Sequence, residues 1–122
     1  MVEFAVMAPL FVVLLFGLVE FGMFIYDKGV LTNASREGAR FGVVYTAPRK
    51  TTTEIQNKVQ AYLTNSGFTD TASINVTGAG GSSGSQLTVT VTYPYHFQVL
   101  PHFVSGLAGT MNLNANTIML ME

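Results

Sequence analysis

Cysteine is absent from the chain, which excludes a disulfide framework and thiolate metal sites while leaving every redox compartment open. Charge is scarce as well. Six Lys and Arg against seven Asp and Glu give a net charge of -1 over 122 residues. Six bases scattered along the chain form no stripe of the kind that neutralises phosphates, which argues against nucleic acid as a partner. No Lys or Arg precedes the first apolar run, as in a chain whose basic leader region has been removed or never existed. Proline is missing between Pro9 and Pro48, so no residue in that interval forces a helix to break. Catalytic groupings are missing too. His96 and His102 have no third ligand or triad partner near them in sequence and read as satisfied or surface histidines. The stretch "GAGGSSGS", 78 to 85, lacks a Lys and opens onto a strand, so it is not a phosphate-binding loop. No enzyme activity, cofactor or metal is expected.

What is present is a long greasy run. Phe4 to Val19 are sixteen residues without charge or a hydrogen-bonding side chain, and only Glu20 interrupts the apolar stretch before Tyr26. That length is close to the ~20 residues that span a bilayer. The chain then continues as "DKGVLTNASREGARFGVVY" without a turn cluster, so one helix is predicted from about Glu3 to Tyr45, roughly 65 Å long. Its first half is apolar on every side; its second half carries charges on one side.

Pro48 disfavours helix at Ala47 and ends the first element. Thr51 with Glu54 fits a capping box, Ile55, Val59, Tyr62 and Leu63 recur at helical spacing, and Gly67 supplies the stop, which predicts a second helix at 52 to 65. The period then becomes two. Ile74 and Val76, then Leu87, Val89, Val91 and Tyr93 against Thr88, Thr90 and Thr92, predict a hairpin closed by a flexible glycine-rich loop, with Pro94 ending the second strand. An irregular aromatic-rich crossover leads to a third strand in "TMNLNANTIMLM". Its apolar parity slips between Ala115 and Ile118, which predicts a bulge or an exchange of faces. The expected fold is α+β and pilin-like: residues 1–46 as the long N-terminal helix, apolar over 4–26, and 47–122 as a small cap with a short helix and a three-stranded antiparallel sheet. A part of about 75 residues without disulfides is marginal alone; it needs the long helix, or a neighbour, over its apolar face.

Glu20 is the first residue that asks for a partner. An acid in mid-membrane costs roughly 2.5 to 3.5 kcal/mol, so Glu20 lies either at the interface or against a partner on another copy, Lys28 being eight residues away on the same helix. Glu3 is favoured at a helix start by the macrodipole, and a terminal amine of an adjacent subunit would suit it as well. In "ASREGARFG", Ala34, Gly38 and Gly42 fall four apart and make a small-residue stripe on which another backbone can approach. Arg36 and Arg40, also four apart, repel on an isolated helix, with Glu37 placed to offset Arg40. A solvated charged face is the plainer reading of these residues, but two interior glycines cost about 1 kcal/mol each relative to Ala, which favours close packing.

"VEFAVMAPLFVVLLFGLVEFG" running into "LTNASREGAR", then "VTVTYPY" and "NANTIMLME", resembles the TadE-like family of pilins and pseudopilins from bacterial tight-adherence systems. The resemblance implies a leader cut by a prepilin peptidase, storage of the helix in the inner membrane, and extraction by an assembly machinery into a filament. The family's early Glu usually stands fifth in the mature chain; here Glu3 is third, which implies two further residues or another cleavage point. An Arg often precedes the family's final Glu, where this chain has Leu120 and Met121. The expected function is a structural subunit of a type IV pilus-like filament, a homopolymer whose assembly contacts are Glu3, Glu20, Lys28, Ala34, Arg36, Gly38, Arg40 and Gly42. A minor pseudopilin of the same system and a single-span membrane-anchored interaction protein are the alternatives.

Overall fold

A computed structural model describes residues 2–69, 71–95 and 111–122. The expected crossover and both histidines lie outside the described residues.

The first helix, α1, runs Val2–Val43, about 63 Å at 1.5 Å per residue. It continues through Pro9. Past its end the Ala47–Pro48 peptide is cis, and α2 follows at Thr52–Asn65. The capping box forms as the sequence predicts: Thr51 N–H donates to Glu54 Oε2 at 2.8 Å and Glu54 N–H donates to Thr51 Oγ1 at 3.2 Å. At the other end Gly67 adopts a φ of +96°, a conformation open to glycine. There Gly67 N–H reaches the Thr64 carbonyl and Phe68 N–H the Leu63 carbonyl, which satisfies carbonyls at the end of the helix.

Three strands, β1 (Ser73–Thr77), β2 (Gln86–Tyr95) and β3 (Met111–Leu120), form one antiparallel sheet in that spatial order. Three local expectations are corrected. Pro94 does not end β2, which continues to Tyr95 with Pro94 opposite Asn112. The first residue of β1, Ser73, stands opposite Thr92, so among the described residues no strand pairs with Pro94 on that side of β2, and a residue without an N–H is tolerated. There is no bulge in β3 either; of the two alternatives, the apolar residues exchange faces. Its register with β2 is unbroken from Gln86↔Leu120 to Tyr95↔Met111, so Leu113, Ala115, Thr117 and Met119 keep to one face while Ile118 and Leu120 turn outward, 58% and 63% exposed. The inward polar residue is explained by its partner, Ser35 of α1, whose Oγ lies 2.6 Å from Thr117 Oγ1. Ser35 donates its one proton to the Thr32 carbonyl, which leaves Thr117 as donor to Ser35. Finally, the glycine-rich loop is built of hydrogen-bonded turns, with Gly84 N–H tied to the Met121 carbonyl at 2.8 Å.

One core joins all of these elements. Leu31, Ala34, Ala39 and Val43 of α1 pack with Ile55, Val59 and Leu63 of α2 and with Leu87, Val89, Val91 and Leu113 of the sheet. The second half of α1 is therefore the cover that the sheet requires.

Candidate functional site at the foot of the cap

The N-terminal part of α1 projects from this core. Its residues from Val2 to Val19 are exposed or half-exposed, and the helix is long and apolar enough to cross a membrane. Eighteen residues at 1.5 Å each give about 27 Å, close to a hydrocarbon core of ~30 Å. Apolar side chains in that arrangement must be buried by something outside the chain.

Coverage begins sharply at Glu20, which is 3% exposed between Val19 at 52% and Phe21 at 62%. Tyr95, the last residue of β2, reaches down to it. The phenol O–H donates to Glu20 Oε1 at 2.5 Å and lies 3.3 Å from the Glu20 carbonyl oxygen. Phe24 packs edge-on against the Tyr95 ring at 5.3 Å, filling the apolar side of the contact. Burial, the hydrogen bond to Glu20 and the negative charges of Glu20 and Asp27 push the Tyr95 phenol up, so it remains a neutral donor. The carboxylate in the greasy run is thus held by the chain's own cap.

Seven residues beyond Glu20, two turns on and on the same side of the helix, Asp27 stands half-buried at a cavity of about 180 Å³. Tyr26, Ser66, Gly67, Phe68, Thr69 and Tyr93 complete its lining. Among the described residues Asp27 has no hydrogen-bonded or ion-paired partner.

The sequence-predicted residues divide between two sides of α1. Ala34, Gly38 and Gly42 are buried, and the stripe expected to receive a neighbouring backbone is filled from within the chain. A Cβ on Gly38 would run into Val59 Cγ2, and one on Gly42 would come within 2.6 Å of Ile55 Cδ1 and Leu87 Cδ2. The two glycines therefore let α2 and β2 approach α1. Lys28, Arg36 and Arg40 are exposed on the remaining surface of α1 and form no ion pair among the described residues. Glu3 is exposed in the first turn of the helix. Sequence reasoning missed Tyr95, Asp27 and the Ser35–Thr117 pair. A buried Tyr hydroxyl and a buried acid each require a partner, and that mutual need was the available signal for the first.

A projecting apolar helix seated in a small α+β cap defines a pilin-like architecture. The family model described as TadE-like protein matches residues 1–40, so the segment that carries the exposed apolar surface is similar to TadE-like proteins, in agreement with the resemblance read from the sequence. Neither the curated proteins nor the solved structures contain a match to this chain.

Proposed function

We propose that this protein is a structural subunit of a tight-adherence (Tad) filament, held in the inner membrane by α1 before assembly and polymerised through the same helix afterwards. The observation that carries the reading is the bare stretch Val2–Val19 beside a cap whose core, among the described residues, takes no side chain from it. A helix apolar on every side is buried in lipid or in a bundle, and in a filament subunit the two burials are successive. The caps then form the outer surface, with adhesion or secretion as the role of the fibre. Prepilin peptidase and the Tad assembly machinery are the implied partners, and no cofactor enters.

Glu3 has its place in this reading as the acid that meets a terminal amine of an adjacent subunit, where attraction has to offset a desolvation cost of several kcal/mol per ion. Electron microscopy of the purified full chain is the test. Uniform fibres of this chain alone support a major subunit. Sparse incorporation into fibres of another pilin replaces that reading with a minor pseudopilin, and monomers that persist only in lipid replace it with a membrane anchor.

A further inference from the structure

The cavity at Asp27 and the arginines of α1 are complementary, and one chain cannot join them. Asp27 sits at the cap side of the helix, half-buried, beside an open volume of about 180 Å³, many times the ~10–15 Å³ that one water occupies on such a measure. Arg36 lies nine residues further on. Nine residues are about two and a half turns, so its side chain leaves the opposite side of the helix, about 14 Å along the axis. Arg40 stands one turn beyond and is equally exposed. Two like charges a turn apart repel, and no carboxylate pairs with either among the described residues. A rigid helix thus carries an acidic socket on one side and a basic pair on the other, at different heights.

We propose that the Asp27 cavity receives the Arg36/Arg40 pair of a second copy of this chain, displaced by about 14 to 20 Å along the helix axis, from nine to thirteen residues at 1.5 Å each. The proposal rests on the self-assembly reading above and names the contact that sets its register. Asp27 has already lost part of its hydration in folding, so pairing it adds less desolvation cost than burying a fully exposed acid. A guanidinium is more weakly hydrated than an ammonium and matches a carboxylate through its planar fork. Tyr26, exposed at the cavity, offers ring surface on which such a plane can stack. The two patches differ and lie on opposite sides, so the contact is heterologous. Such contacts repeat head to tail and leave a free socket and a free arginine pair at the ends of an open polymer.

The absence of cysteine makes the test direct. Full-length Asp27→Cys is mixed with full-length Arg36→Cys, and separately with Arg40→Cys, in detergent and after detergent removal. The mixtures are treated with a short bis-maleimide, because an Asp–Arg pair holds its Cα atoms too far apart for a disulfide. Cross-linked dimers in at least one mixture, with few from Asp27→Cys alone, are expected. Efficient linkage of Asp27→Cys to itself would mean a symmetric contact and overturn the proposal, as would no mixed linkage. Asp27→Asn should weaken association about tenfold, and Asp27→Arg should be partly rescued by Arg36→Asp or Arg40→Asp, with circular dichroism confirming that each variant folds. Mixed linkage without fibres would retain the contact and reject the filament; wild-type fibres without mixed linkage would do the reverse. Asp27→Asn changing affinity for phosphatidylethanolamine vesicles but not self-association would assign the cavity to a lipid headgroup and overturn the proposal.

Discussion

The Tyr95 phenol closes on the Glu20 carboxylate at 2.5 Å across 75 positions of sequence, and with it the last residue of β2 ties the described part of the cap to the middle of α1. Glu20 is accommodated in an apolar helix because it is where bare apolar surface gives way to surface covered by the chain itself.

Removing the donor should loosen that junction. Tyr95→Phe is expected to cost about 1 to 3 kcal/mol, the range for stripping a hydrogen bond from a buried polar group. Urea unfolding followed by circular dichroism measures it. A variant as stable as the parent would show that the contact contributes nothing.

Alkaline titration offers a separate check. Burial and the neighbouring carboxylates raise the Tyr95 phenol above its ordinary value, about 10 in the unfolded chain. Its stabilisation is therefore whole below about pH 10 and is lost as pH rises through the folded value. Of the five tyrosines, Tyr95 should ionise last in a near-ultraviolet titration, and Tyr95→Phe should delete that final step. Loss of an earlier step instead would contradict the assignment.

Gly38→Leu and Gly42→Leu should damage the cap directly. Their added atoms enter space held by Val59, Ile55 and Leu87, and overpacking of this kind costs typically about 1 to 3 kcal/mol or more. Both variants are expected to melt several degrees lower in detergent, before any question of assembly arises. Unchanged melting with lost fibres would return these glycines to the subunit interface.

Membrane depth follows from the coverage boundary. In vesicles, single cysteines at Val6, Leu10 or Leu14 should be shielded from a water-soluble maleimide, whereas one at Tyr26 or Lys28 should react. A shielded Lys28→Cys would place the membrane surface beyond the cap's lower edge and refute the boundary at Glu20.

The elements of the fold were legible because each is encoded locally. The Thr51 and Glu54 box starts α2, Gly67 stops it, and the Thr-Val alternation of β2 repeats without interruption. Errors arose where a distant residue decided the outcome. Thr117 looks like a break in apolar parity until Ser35, 82 positions away, is set against it, and Pro94 looks like a stop until β1 is seen to reach no further along β2 than Thr92. The candidate site shows the same division. The charges Glu20, Arg36 and Arg40 stood out by type, but a small-residue stripe reads identically whether a neighbouring molecule or the chain's own α2 fills it. Tyr95 and Asp27 became visible only once the cap was folded onto the helix.

The cap's core is built directly on Leu31, Ala34 and Val43 of α1 rather than hung from the helix by a linker. A tensile load applied along α1 therefore enters the cap as shear over the whole packed face, where many side-chain contacts resist together instead of peeling one after another. Strength under axial pull would then scale with the number of helical turns inside the cap, and shortening that shared interface would weaken it even if every strand remained in place.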